Sequence, residues 1–135
     1  MTDEAVCGEP DRLPAVPNGG AMNFDNYTIT LLIRRPDAPE LTEEQAGELQ
    51  NAHMSHLADL AEAGHLLAAG PLRDDEYAGL SILDVDPQRA LEMKQADPAV
   101  RAGVYTIKAI PWMLPADLIS FAKVRLPRSM AEAMS

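Results

Sequence analysis

The sequence predicts an α+β fold, a ferredoxin-like sandwich of four antiparallel strands with two helices on one face. Three observations predict it. The chain has 135 residues, the length of one ordinary domain. Its composition, 47% hydrophobic and 24% charged, is that of a soluble globular protein with a core. Four β-rich runs alternate with two capped amphipathic segments in the order β-α-β-β-α-β, which right-handed crossovers close into that sandwich.

The segment before the first strand holds Pro10, Pro14, Pro17 and the pair Gly19-Gly20 without an apolar period, so residues 1–22 read as a disordered arm. The ordered domain is expected to span residues 23–112. Its first strand is Tyr27 to Ile33, β-branched and bounded by Asn26 and Pro36. Thr42 opens a helix, with Gln45 completing a capping box and Glu43 and Glu44 at the positive end of the dipole. That helix runs to about Ala63, where Gly64 stops it. His65 to Ala69 is a short buried strand ended by Gly70-Pro71, and Arg73 to Glu76 is a charged turn. Tyr77 to Val85 is the third strand, with Leu80, Ile82 and Asp84 on one face. Asp86 caps a second helix with Pro87 at its first position, and the helix ends near Ala96. Asp97-Pro98 opens one more short turn, Gly103 breaks it, and Val104 to Ile110 is the fourth strand.

Residues 113–135 form an extension that Leu114, Leu118, Ile119 and Phe121 make too apolar to float free. It is expected to pack on its own domain or on a partner subunit. Two helices on one side leave the other sheet face bare. A bare apolar face is normally buried by a second copy, so a homodimer is expected.

Charge and composition exclude several function classes. Twenty-one acids against 11 bases give a formal net charge of −10, which repels phosphate backbones and anionic lipid. Neither nucleic acid nor membrane is an expected partner. No apolar run approaches the ~18 residues of a membrane span. The acidic, proline-rich start does not have the pattern of a secretory signal, and a cytoplasmic place is expected. The lone Cys7 builds neither a disulfide framework nor a thiolate metal site.

On the first helix, Ala46, Leu49, Leu57 and Leu60 define a stripe facing the sheet, with His53 near its centre and His56 to one side. An imidazole in that position needs a hydrogen-bond partner, since burying it bare costs on the order of 1–3 kcal/mol. Periodicity alone favours a core histidine satisfied by a backbone carbonyl. His53 and His56 stand three apart, yet a metal site needs further ligands and His65 looks outward, so no metal is expected. Asp97 before Pro98 reads, taken alone, as a turn opener. Ser81 has no base beside it in sequence and no G-x-S-x-G around it. Asp74-Asp75-Glu76 lacks the glycine and distal glutamate of a calcium loop.

Taken together, these stretches resemble a known family. The run from His53 through Leu57, Leu60 and Gly64 to Gly70-Pro71 resembles the signature of YCII-related proteins, a helical histidine followed by A-G-P. Ala96-Asp97-Pro98 through Gly103-Val104 resembles that family's second motif, and Pro111-Trp112 its usual ending. The resemblance covers about Tyr27 to Trp112. It implies a dimeric α+β barrel and a His-Asp active site falling on His53 and Asp97. One relative is a dehydrochlorinase of chlorinated hydroxyquinols. The chain departs from the pattern where Gln50-Asn51 replaces a frequent arginine-proline pair, and where Leu80, followed by Ser81, replaces a frequent serine or threonine.

With that resemblance, the expected function is general acid/base proton transfer on a small apolar, cyclic or phenolic substrate, by lyase or isomerase chemistry without a cofactor. His53 would be the base, and Asp97 would fix its tautomer. His56, Leu57, Leu60, Gly70, Pro71, Ser81 and Tyr105 are the expected substrate contacts, with Ala68 and Ile82 as further lining. The alternatives are a non-catalytic dimer that binds a small ligand or docks a partner enzyme, and a purely structural dimer.

Overall fold

The computed structural model describes residues 22–135. The expected disordered arm, Met22 excepted, lies outside the described residues. The elements are β1 (Phe24–Arg34), α1 (Glu43–Glu62), β2 (Leu66–Pro71), β3 (Tyr77–Leu83), α2 (Pro87–Gln95), α3 (Pro98–Arg101), β4 (Tyr105–Pro115) and α4 (Met130–Ala133). The fold is α+β, with one four-stranded sheet in the order β2-β3-β1-β4 and every neighbouring pair antiparallel.

The helix starts follow the chemistry of their caps. Thr42 accepts from the Gln45 backbone N–H at 3.1 Å, and the Gln45 side chain returns a 3.0 Å bond to the Thr42 N–H. Asp86 accepts from Arg89 N–H at 2.8 Å, with Pro87 in the first turn of α2. Past the end of α1, Gly64 sits at φ 85°, where a β-carbon is strained.

The alternation of β1 sorts its two faces. Thr28, Thr30 and Leu32 are buried, while Ile29, Leu31 and Ile33 are half-buried. The threonines therefore lie under the helices, and Thr28 Oγ1 donates to the Val85 carbonyl at 2.6 Å. Gly79, Ser81 and Leu83 of β3 share that inner side, which puts Ile82 on the opposite sheet face. There it stands in a row with Ile29 and Ile110. Leu66, Leu83, Ala90 and Met93 form the buried cluster between sheet and helices, with Leu57, Leu60 and Ala61 packed against it. Ala46, expected in the inward stripe of α1, is exposed, and Ala58 is buried instead. The first turns of α1, through Glu48, are exposed, so the stripe begins at Leu49.

The last strand is longer than its β-branched run because β1 extends to meet it, pairing Phe24 with Pro115 and Tyr27 with Trp112. As an edge strand, β4 tolerates Pro111 and Pro115, whose missing N–H groups can face away from the ladder. Beyond β4 the chain returns to its own domain. Phe121 stacks edge-on against Tyr27 at 5.4 Å, and Leu126 packs on the buried cluster. Arg128 reaches Asp59 at 2.9 Å, Glu62 at 2.7 Å and Ser55 Oγ at 3.1 Å along α1. Among the described residues no helix is long and apolar enough to cross a membrane.

Candidate functional site

The site begins with the cap of a four-residue helix. Asp97 Oδ1 accepts from the Ala99 N–H at 2.8 Å and so starts α3, the ordinary work of an aspartate before proline. Its second oxygen, Oδ2, is 2.6 Å from His53 Nδ1 on α1. A carboxylate can only accept, so Nδ1 carries a proton, and in the neutral form of the ring Nε2 is the acceptor. Asp97 has no exposed surface and the His53 side chain is 11% exposed. Burial pushes the Asp97 carboxyl up, but the His53 hydrogen bond and charge, the Ala99 N–H and the Lys94 ammonium outweigh it and hold the group below its usual range. The pair is thus an ionised carboxylate against an imidazole.

His53 opens onto a cavity of about 450 Å³ between α1 and the sheet. An apolar cavity of about 150 Å³ already holds benzene, so this one accommodates a substituted ring. Leu32, Met54 and Leu57 give it apolar walls, and Arg34 and Gln50 supply polar groups. Gly79 keeps one side open, because a β-carbon there would come within 3.3 Å of Leu32 Cδ1.

Of the residues expected from sequence, His53, Leu57, Gly70, Pro71, Ser81 and Tyr105 line this cavity together. Asp97 stands behind His53 rather than in the wall. His56 and Leu60 are placed elsewhere. His56 Nε2 donates to the Met93 carbonyl at 3.1 Å and ties α1 to α2, while Leu60 packs on the buried cluster. Ala68 and Ile82 are also absent from the wall, since they pair on the opposite sheet face.

Sequence reasoning missed two contributors. Leu126, Pro127 and Met130, from the segment after the sheet, form part of the wall. Asn51, one of the residues that depart from the YCII pattern, accepts from the Met130 N–H at 2.8 Å and holds that segment in place. The second is Lys94, fully buried and 2.9 Å from Ser81 Oγ. Burial pushes its ammonium down to about 8, and the Asp97 carboxylate opposes the shift. Its position was legible, because it follows Ala90 by four residues on the buried face of α2.

Comparison with known proteins places the chain. No curated protein matches it. One solved structure, 5-chloro-2-hydroxyhydroquinone dehydrochlorinase (TftG) from Burkholderia phenoliruptrix AC1100 in complex with 2,5-dihydroxybenzoquinone, is similar with a TM-score of 0.46. The two are 17% identical, and the match covers 64% of this chain and 90% of that one. The YCII-related domain matches residues 29–113, a stretch that runs from the second half of β1 through most of β4 and holds both His53 and Asp97. With well over half of its length matched, the chain belongs to the YCII-related domain family.

Proposed function

We infer that the protein is a small-molecule enzyme in which His53 and Asp97 act as a general acid/base dyad on a small apolar, cyclic or phenolic substrate. The observation that carries this reading is the buried 2.6 Å pair whose imidazole lines a ring-sized cavity. Asp97, as a carboxylate, holds the Nδ1–H tautomer and stabilises the imidazolium formed when Nε2 takes a proton. Abstraction of a C–H or O–H proton leaves its electron pair on the substrate. That pair either expels a leaving group from the neighbouring position, with the proton passing from His53 to the leaving group or solvent, or shifts a double bond, with His53 returning the proton to the substrate at the new position. This is lyase or isomerase chemistry, and neither step calls for a cofactor.

The working unit in this reading is a homodimer of ferredoxin-like sandwiches. Among the described residues no helix lies over the apolar face bearing Ile29, Leu31, Ile82 and Ile110, and a second copy is the self-complementary cover.

The test is turnover of a panel of hydroxylated and halogenated phenols, followed by mass spectrometry, for wild type and His53→Ala. Loss of general base catalysis is expected to slow the variant roughly 10²-fold or more. Turnover at the wild-type rate in His53→Ala rejects the mechanism. Saturable binding in both proteins without product supports instead a module that holds a small ligand or assists a partner enzyme.

A further inference from the structure

We propose that Ser81 and Lys94 form an oxyanion subsite in the wall of the cavity, so that its guest is a phenol or enol that becomes negatively charged on oxygen while bound. Ser81 lies on the inner face of β3 and lines the cavity together with His53. Lys94 has no exposed surface, and Ser81 is its single hydrogen-bond partner among the described residues. An ammonium can only donate, so the 2.9 Å contact places a lysine proton on Ser81 Oγ. The hydroxyl's own proton has no acceptor among the described residues and is free to turn into the cavity. A hydroxyl that accepts from a buried cation is a polarised donor, stronger toward an anion than an ordinary serine.

The charges explain why a cation is tolerated there. Lys94 and Asp97 lie three residues apart, joined by the Asp97 N–H to Lys94 carbonyl bond of 3.0 Å. The carboxylate that orients His53 and the ammonium behind Ser81 offset one another, and Arg34 adds a further cation to the wall. When Nε2 takes a substrate proton, an imidazolium and an oxyanion appear together. Asp97 faces the first, and Ser81 the second. The apolar part of the wall lowers the local dielectric and strengthens both contacts. Lys94 acts through Ser81 and is a positioning residue. Ser81 is the group that touches the guest.

This inference rests on His53 being the base, and the test separates the two. The full chain is titrated with 4-nitrophenol about one pH unit below the probe's own pKa, where roughly one-tenth of the free probe is ionised. The visible phenolate band reports the ionised fraction of the bound probe, a quantity that a merely structural role of Lys94 leaves unchanged. The wild type is expected to raise the phenolate-to-phenol ratio about tenfold over the free probe. Ser81→Ala and Lys94→Met are each expected to lose most of that gain. Ser81→Cys, nearly isosteric and a weak donor, supplies the same readout if the alanine variant does not fold. A gain kept in His53→Gln and lost in Ser81→Ala supports the subsite. A gain kept in full by Ser81→Ala, a bound probe no more ionised than the free one, or no saturable binding overturns it. A gain lost only in His53→Gln overturns it as well, while leaving the base in place.

Discussion

Asp97 uses one oxygen to start a helix and the other to hold an imidazole, so its variants separate the two roles. Asp97→Asn keeps an acceptor for the Ala99 N–H but offers an amide N–H toward His53 Nδ1. The ring then presents an acceptor at Nδ1 and a proton at Nε2, the wrong tautomer for a base. Nitrogen NMR of the imidazole is expected to show that exchange, with turnover of an identified substrate falling on the order of 10²-fold or more. An unchanged tautomer would count against the orienting role. Lys94 makes a second prediction through pH. Its folded value of about 8 lies below the ordinary lysine value, so between about pH 8 and 10 the unfolded chain binds more protons than the folded one. Stability should therefore rise across that window, by roughly 3 kcal/mol at most from this group. The rise should be absent from denaturant curves of Lys94→Met. The position of His53 was legible from the helical wheel, as was the aspartate at the cap. Their contact was not, because 44 positions separate them and only tertiary packing of α1 on α3 joins them. Lys94 was passed over because a lysine on a wheel is read as solvated even where its neighbours four and one residues back are core.

At the scale of elements, the helix limits follow local chemistry that any sequence shows, the Thr42 capping box, Asp86-Pro87 and Gly64. Gly64→Ala tests one of them: at φ 85° the alanine is expected to cost about 1 kcal/mol in chemical denaturation without altering the cavity. The end of β4 was less legible. Trp112 to Pro115 carries no alternation of its own and is strand because Phe24 to Tyr27 lies beside it. The path of the segment from Ala116 onward could not be read at all, since its anchors are side chains on another element: Asn51, Ser55, Asp59 and Glu62. Arg128→Ala removes three of those four attachments. They are largely exposed, so the global unfolding midpoint should barely move. Limited proteolysis should nonetheless cut between Leu118 and Arg128 faster than in wild type, and equal cleavage would mean that Leu126 and Asn51 hold the segment alone.

For the molecule as a whole, the two faces of the sheet have different futures. The inner face is closed by helices, and the outer presents rows of Ile29, Ile82 and Ile110 beside Leu31 and Lys108. If a second copy covers it, Ile82→Lys places a like charge at the centre of a self-complementary contact, where every substitution is felt twice. Light scattering after size exclusion is expected to give twice the chain mass for wild type and the single mass for the variant. A monomeric wild type at micromolar concentration would remove the dimer from the account. The net charge of −10 adds a long-range repulsion between copies, so association should tighten as salt is added.

The cavity is assembled from two stretches that evolution can edit separately. The buried His53–Asp97 pair lies within the family-matched residues 29–113, whereas Leu126, Pro127 and Met130 lie beyond them. A change of side chain in that later stretch reshapes the cavity wall without touching the His53–Asp97 pair. If the proposed dyad carries the chemistry, homologues that keep it need not share a substrate.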